Sequence, residues 1–206
     1  MTMCMSKGNV IKVSVDGERM PKGNILAVTN RHLCTHPFTE QMERVCSMHP
    51  QAVILREKDL SEKDYTVLAQ EIMGICQAHN VPLILHTYPG AAKKLRCTAI
   101  HLPLPLLREY SGDPDFTVIG TSIHSIEEAL EAEKLGATYL TAGHIYATDC
   151  KKGIPPRGLE FLRKVCQNVS LPVYAIGGIK FDEAQFAELS ACGAKGGCIM
   201  SGMMTL

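Results

Sequence analysis

Short apolar runs alternate with longer segments of helical periodicity along almost the whole chain, and this alternation constrains the fold more than any other feature. Glycine, proline or polar residues bound each run, and most runs are apolar at consecutive positions rather than at every second one. That pattern is typical of parallel strands covered on both faces. It predicts eight strands, over residues 25–28, 52–55, 82–85, 98–100, 116–119, 138–142, 173–176 and 197–200.

The segments between the predicted strands have apolar residues at helical spacing, and two of them carry clear start signals. Ser61 with Asp64, and Ser125 with Glu128, have the spacing of N-terminal capping residues. Strands that alternate with helices form right-handed βαβ units around a parallel sheet. We predict helices over residues 61–79, 125–135, 158–169 and 182–191.

Eight strands in a chain of 206 residues fit two α/β architectures, a closed (β/α)8 barrel and an open doubly wound sheet. No Gly-x-Gly-x-x-Gly motif follows the first strand, and no Gly-x-x-x-x-Gly-Lys-Ser/Thr motif occurs anywhere. We therefore predict a TIM barrel, formed by a single domain over residues 24–206 and preceded by an N-terminal extension over residues 1–23.

The last predicted strand lies only a few residues before the end of the sequence, so the eighth helix of the barrel is predicted to be truncated. Truncation leaves apolar surface uncovered between the first and seventh helices. We expect the N-terminal extension or a second subunit to cover this groove, and we therefore expect a homodimer.

Composition argues against several classes of partner. Lysine and arginine together number 21, as do aspartate and glutamate, so the chain lacks the positive surplus of a sequence-independent nucleic-acid binder. No apolar stretch reaches the ~20 residues that cross a membrane, and the N-terminus lacks a secretory pattern, so we expect a cytoplasmic protein. The nine cysteines are scattered without a Cys-x-x-Cys pair; we interpret most as core residues and predict no metal site.

Glycine-rich turns follow the last two predicted strands, where (β/α)8 barrels usually bind a phosphate. Consecutive glycines let backbone amides approach an anion, and the start of a following helix adds partial positive charge. The alternative is that these turns need only the positive φ that glycine permits. The candidate phosphate-binding residues are Gly177, Gly178, Ile199, Met200, Ser201 and Gly202.

Three further strand ends carry polar residues suited to a small-molecule site. His144 follows the sixth strand, and an imidazole moves protons in either direction near neutral pH; the alternative is that it caps its own loop. Lys151 lies in the same loop and is suited to an anionic group. Arg56, after the second strand, is suited to bidentate binding of a phosphate or carboxylate unless its charged loop is paired internally. Ser122, after the fifth strand, is a further candidate.

Several segments in combination resemble the thiamine phosphate synthase superfamily of (β/α)8 barrels, from about residue 24 to residue 206. The resemblance implies one of two activities. Synthases join a pyrimidine diphosphate to a thiazole phosphate with Mg²⁺ held by aspartates, whereas TenI-type thiazole tautomerases aromatise the thiazole phosphate by moving a proton. The matching segments are residues 55–59, 119–122, 127–137, 175–179 and 200–202.

Departures from the synthase pattern favour the tautomerase branch. Where the resemblance implies an Asn-Asp pair after the third strand, this chain has His86 and Thr87, and residues 101–106 after the fourth strand contain no acid. The loop that contains Gly143 and His144 is similar to the corresponding loop of the tautomerases, whose acid–base histidine falls at His144.

The resemblance therefore leads us to predict a thiazole tautomerase, an isomerase without a cofactor, in which His144 transfers the proton. The glycine turns would hold the phosphate of a small-molecule thiazole phosphate, and Arg56, Ser122 and Lys151 would orient its carboxylated ring. Two alternatives stay open. One is the synthase itself, and the other is a non-catalytic protein that binds thiazole phosphate or thiamine phosphate.

Overall fold

The computed structural model describes residues 24–109, 114–151 and 153–206. In this part of the chain, eight parallel strands close into a barrel in sequence order, and the last strand pairs with the first. The predicted (β/α)8 barrel is confirmed. The strands are β1 (Asn24–Val28), β2 (Ala52–Leu55), β3 (Leu83–His86), β4 (Ala99–Pro103), β5 (Val118–Ile123), β6 (Tyr139–Gly143), β7 (Val173–Ile176) and β8 (Gly196–Ile199).

Helices alternate with the strands around the barrel. The four helices that periodicity predicts are the second, fifth, sixth and seventh of the chain. The first, third and fourth are not among the predicted helices, and the third and fourth are only six residues long, too short to show a period. The helices are α1 (Phe38–Ser47), α2 (Glu62–Ala78), α3 (Pro89–Lys94), α4 (Leu104–Glu109), α5 (Ile126–Lys134), α6 (Gly158–Asn168), α7 (Glu183–Ala191) and α8 (Ser201–Met204).

Both predicted capping serines begin their helices. The Ser61 side chain accepts a hydrogen bond from the Asp64 backbone N–H at the start of α2, and Ser125 accepts one from the Glu128 N–H at the start of α5. Each cap is worth about 1 kcal/mol because it satisfies an amide that has no partner inside the helix. The local sequence thus fixes where these two helices begin.

Alternate residues of each strand pack on opposite faces of the barrel wall. In β1, Ile25 and Ala27 belong to the main core cluster between strands and helices, whereas Leu26 and Val28 belong to a smaller cluster inside the barrel. Because both faces of the wall are buried, the strands read as continuous apolar runs in the sequence. Side chains of this smaller cluster fill the barrel interior, so we look for a ligand site at the mouth formed by the carboxyl ends of the strands.

The eighth helix is short, as predicted, and packs on the first. Met203 and Met204 of α8 are buried, and the Gln41 side-chain amide of α1 donates a 2.7 Å hydrogen bond to the Met203 carbonyl. Residues 1–23 lie outside the described residues, so the expectation that they or a second subunit cover this flank stays a prediction.

The described residues provide observations on the cysteines and on membrane-spanning helices. The seven cysteines whose side chains are described are free thiols, and four of them are buried. In residues 24–109, 114–151 and 153–206, no helix is long and apolar enough to span a membrane.

Candidate active site

A cavity of about 1340 Å³ lies at the carboxyl ends of the strands. Nine of the ten site residues predicted from the sequence line it. The tenth, Ile199, does not, and its fully buried side chain belongs to the main core. The residues brought together are Arg56, Ser122, His144, Lys151, Gly177, Gly178, Met200, Ser201 and Gly202.

The glycine turn after β7 combines positive φ with close packing. Gly177 has φ +94° and Gly178 has φ +71°. A Cβ atom on Gly178 would lie 2.6 Å from the Ala147 carbonyl oxygen, so the β6–α6 loop leaves no room for a side chain. The conformational reason for glycine is therefore real.

The same turns also leave backbone donors free at the cavity. Within the described part of the chain, the amides of Gly177, Gly178, Ser201 and Gly202 donate no hydrogen bond to another residue. Free amides at a cavity wall are suited to an anion. The conformational and anion-binding interpretations of the glycines are thus compatible.

His144 lies against this turn at the start of the β6–α6 loop. Its side chain is buried and lines the cavity. Its Nε2 donates a long hydrogen bond of 3.3 Å to the Ile154 carbonyl, and its own carbonyl accepts one of 2.9 Å from the Arg157 N–H. His144 therefore stabilises its own loop, which is the alternative that the sequence left open, and it still faces the cavity.

Three cations meet on another part of the wall. Arg56 and Lys58 follow β2, and Lys151 comes from the β6–α6 loop. Burial lowers the pKa of Lys58, and repulsion from Arg56 and Lys151 lowers it further. No acid in residues 24–109, 114–151 or 153–206 forms an ion pair with any of the three. These three cations give this part of the wall positive charge, which attracts anions.

The acids beside Arg56 in the sequence are held elsewhere. Glu57 is buried, accepts a 2.7 Å hydrogen bond from the Thr29 hydroxyl and pairs with Arg31 at 3.0 Å. Asp59 also pairs with Arg31, and this contact holds the pKa of the Asp59 carboxyl well below its usual range. The Thr29 hydroxyl in turn accepts the Arg56 N–H at 2.9 Å. The loop is thus paired internally through its acids, which leaves Arg56 to the cavity.

Two histidines that the sequence did not suggest as site residues form part of the cavity wall. His86 and His101 are register neighbours on β3 and β4, and their rings stack with centroids 5.2 Å apart. Burial lowers the pKa of His86 to about 2 and that of His101 to about 3, and the positive charges of Lys58 and Arg56 contribute. Both rings are therefore neutral at physiological pH. Their only signal in the sequence is a histidine in each of two consecutive apolar strands.

Ser122 belongs to β5 rather than to the loop after it, which corrects the predicted strand end. The apolar run predicts a strand that stops at residue 119, but β5 continues through Gly120 to Ile123. Pairing with β4 and β6 on both sides carries the strand across these polar residues. The Ser122 hydroxyl lies 2.9 Å from His101 Nε2 and 2.9 Å from the Thr141 hydroxyl.

The donor set at the cavity does not fit a resident magnesium ion. Mg²⁺ prefers oxygen ligands, above all carboxylates, in an octahedral arrangement. The third and fourth strands instead bring His86 and His101 to the wall, and Glu128 of α5 accepts the His124 N–H. The described residues contain no group of three or more His, Cys, Asp or Glu side chains placed to hold a metal.

Comparisons with known proteins identify the relatives of this barrel. The family model described as thiamine monophosphate synthase matches residues 25–203. A thiamine-phosphate synthase of Clostridium beijerinckii is 33% identical over 187 residues, which are 88% of each chain, and one of Clostridium acetobutylicum is 36% identical over 158 residues, which are 74% of this chain and 73% of the relative. The solved thiamine phosphate pyrophosphorylase of Pyrococcus furiosus superimposes with a TM-score of 0.74 at 27% identity, over 88% of this chain and 87% of that one.

These relatives show that the tautomerase prediction is wrong. Two are named as thiamine-phosphate synthases and the third as a thiamine phosphate pyrophosphorylase; these are names of transferases and not of isomerases. The prediction relied on two missing carboxylates and one loop histidine. It did not account for the meeting of Arg56 and Lys58 with Lys151, because the barrel brings together two loops that are far apart in sequence. These cations supply positive charge for binding a diphosphate, and they do so without the two missing carboxylates.

Proposed function

The chain belongs to the thiamine monophosphate synthase family, and from that premise we propose that it joins two phosphorylated substrates at the mouth of its barrel. A pyrimidine whose methylene carbon carries a diphosphate group would react with a thiazole phosphate. The bond between the methylene carbon and the diphosphate oxygen breaks, and its electron pair leaves with the diphosphate. The thiazole nitrogen supplies the pair for the new carbon–nitrogen bond, which gives thiamine phosphate.

One observation carries this proposal: two separate anion-binding features face the same cavity. Free amides at Gly177, Gly178, Ser201 and Gly202 suit one phosphate, and the cations Arg56, Lys58 and Lys151 suit a more highly charged diphosphate. The cavity of about 1340 Å³ exceeds the ~300–1,000 Å³ of common ligand pockets and leaves room for two substrates.

In the proposed reaction the three cations hold the diphosphate and stabilise the charge that grows as it leaves. Charge-assisted hydrogen bonds in a cavity shielded from water are the strong kind. Held in one cavity, the two substrates meet at a far higher effective concentration than in solution. Apolar side chains give the flat heterocycles a surface to pack on; they include Ile54, Leu104, Ile123, Ile154 and Phe181.

We assign His144 to the thiazole phosphate. Its ring lines the cavity, and its Cβ lies directly against Gly177 of the glycine turn. A phosphate held by the turn therefore places its substrate beside this imidazole. No step of the proposal uses a magnesium ion, because the residues present do not fit one.

The proposal is tested with purified protein and both substrates, by following thiamine phosphate formation and diphosphate release by mass spectrometry. Lys151→Met removes one charge of the cation group and keeps the aliphatic stem. We expect kcat/KM to fall about 10- to 100-fold, the value of one charge-assisted hydrogen bond. Lys134→Met at the exposed end of α5, away from the cavity, is the matched control and should leave the rate unchanged. Absence of product from wild-type protein that binds both substrates would refute the proposal.

A further inference from the structure

His101 is a buried imidazole whose two nitrogens both have partners inside the barrel. Its Nδ1 lies 2.9 Å from the Tyr139 hydroxyl oxygen, and its Nε2 lies 2.9 Å from the Ser122 hydroxyl oxygen. Only 2% of His101 and 6% of Tyr139 are exposed to solvent. Ser122 is less buried and lines the cavity. A continuous chain of polar atoms thus runs from the barrel interior to the ligand site.

The imidazole in this chain is neutral, so one nitrogen carries a hydrogen and the other offers a lone pair. Burial, with the positive charges of Lys58 and Arg56, lowers the pKa of His101 to about 3. Tyr139 is also neutral, because burial raises the pKa of its hydroxyl well above its usual value. The hydrogen-bonded groups therefore carry no net charge. At each of their contacts, one group donates the hydrogen and the other accepts it.

The Tyr139 hydroxyl fixes which group donates and which accepts along the hydrogen-bonded chain of Tyr139, His101 and Ser122. A buried phenol hydrogen needs an acceptor, and leaving it unpaired costs about 1–3 kcal/mol. In the described part of the chain, the hydrogen bond of this hydroxyl is the one to His101 Nδ1. Tyr139 therefore donates to Nδ1, the ring hydrogen sits on Nε2, and Nε2 donates to Ser122.

This direction determines what Ser122 presents to the cavity. Its oxygen already accepts from His101 Nε2, so its own hydrogen is free to donate, either to the Thr141 hydroxyl at 2.9 Å or to a bound ligand. Ser122, Arg56 and Lys58 line the same cavity. An anion held there by these two cations is thus a strong acceptor for the Ser122 hydrogen.

We propose that Tyr139 and His101 are positioning residues that orient the Ser122 hydroxyl as a hydrogen-bond donor to the anion bound at Arg56 and Lys58. Tyr139 acts through His101, and His101 acts through Ser122. The inference rests on the proposed function only in that it takes this anion to be the diphosphate of the substrate. It assigns a role to two interior residues whose types and spacing in the sequence give no such signal.

The direction of the chain is tested without any ligand. In ¹⁵N-labelled wild-type protein, long-range ¹H–¹⁵N correlation spectra identify which nitrogen of His101 carries the hydrogen. We expect the hydrogen on Nε2, with Nδ1 bare. A hydrogen on Nδ1 would reverse the chain, commit the Ser122 hydrogen to His101 and overturn the proposal.

The functional coupling is tested with inorganic diphosphate as the probe, by calorimetric titration of the folded protein. Tyr139→Phe keeps the ring and removes the hydrogen that fixes the direction. We expect it to weaken diphosphate binding about three- to tenfold, the range of one neutral hydrogen bond. Ser122→Ala should weaken binding similarly, and the double variant should bind no more weakly than Ser122→Ala alone. If the fold-losses of diphosphate affinity in the two single variants multiply in the double variant, Tyr139 acts independently of Ser122 and the coupling is refuted.

Tyr174→Phe is the matched control, because Tyr174 is the edge-on aromatic neighbour of Tyr139 inside the barrel. Its hydroxyl donates to the Gln51 side chain at 3.0 Å and lies outside the chain. Its loss should leave the diphosphate affinity unchanged. If Tyr139 and Ser122 are coupled in diphosphate binding but the protein makes no thiamine phosphate, only the proposed function is refuted. If the protein makes thiamine phosphate but the two residues are not coupled, only the positioning role is refuted.

Discussion

Gly177 approaches His144 so closely that a Cβ atom on the glycine would lie 2.2 Å from the histidine Cβ. The contact joins the turn after β7 to the loop after β6, and two backbone hydrogen bonds support it, from Ile145 N–H to the Ile176 carbonyl and from Tyr146 N–H to the Gly177 carbonyl. The free amides of the turn and the imidazole are therefore placed by one packing contact. That arrangement requires that residue 177 has no Cβ atom.

We expect Gly177→Ala to destabilise the fold by about 3 kcal/mol, through overpacking against His144 and the cost of φ +94° for alanine. The measurement is urea unfolding followed by circular dichroism. Gly136→Ala is the control, because Gly136 has φ +87° but a Cβ atom added to it would meet nothing within 4 Å. It should cost only about 1 kcal/mol. Equal losses would show that strain, and not contact with the loop, requires the glycine.

Arg56 should contribute to diphosphate binding through charge. We expect Arg56→Gln to weaken binding of inorganic diphosphate about 10- to 100-fold, because it removes one charge-assisted hydrogen bond from the cavity wall. The wild-type affinity should also fall more steeply with added salt than that of the variant, since salt screens the lost attraction. Titration calorimetry at two salt concentrations measures both effects. An unchanged affinity would place the diphosphate elsewhere.

Magnesium should not bind the ligand-free protein. A cation bound only by the folded state would raise the midpoint of thermal unfolding by mass action. We expect no such rise on adding Mg²⁺ at millimolar concentration, because the described residues contain no group of three or more His, Cys, Asp or Glu side chains placed to hold a metal. Inorganic diphosphate should raise the midpoint in the same assay and thus serves as the positive control. A magnesium-dependent rise would contradict the assignment of the wall to cations and neutral histidines.

The neutral histidine pair should make stability depend on pH below about 6.5, the ordinary pKa of histidine. The folded-state pKa of His86 is about 2, so below pH 6.5 the unfolded chain binds a proton that the folded chain does not. Stability therefore falls as the pH drops, by about 1 kcal/mol per pH unit for each such histidine, and is independent of this group above that range.

We expect His86→Gln to flatten this dependence by about 1 kcal/mol per pH unit between pH 6 and pH 4. The measurement is the free energy of unfolding across that interval. His49→Asn replaces an exposed histidine at φ +49°, a backbone conformation that asparagine tolerates, and should leave the slope unchanged. An equally steep slope in His86→Gln would mean that the ring is protonated in the folded state.

Local sequence was enough to define the main elements and their order. A buried parallel strand must be apolar on both faces, so the strands beginning at Ala52 and Val173 are visible as local runs. The caps at Ser61 and Ser125 are local as well, because a capping side chain reaches only the first turn of its own helix. Such features need no knowledge of distant residues.

The chemistry of the site, in contrast, depends on how distant segments meet in the folded barrel. His86 meets His101 because β3 and β4 pair in one register, and Tyr139 meets His101 from 38 residues away. Lys151 and Arg56 line the same cavity although they come from loops far apart in sequence. Charge, burial and hydrogen-bond direction are properties of such groups of residues, and a one-residue change of register would redirect every side chain to the other face of the wall. No segment read alone contains that information, because it arises only when the sheet closes.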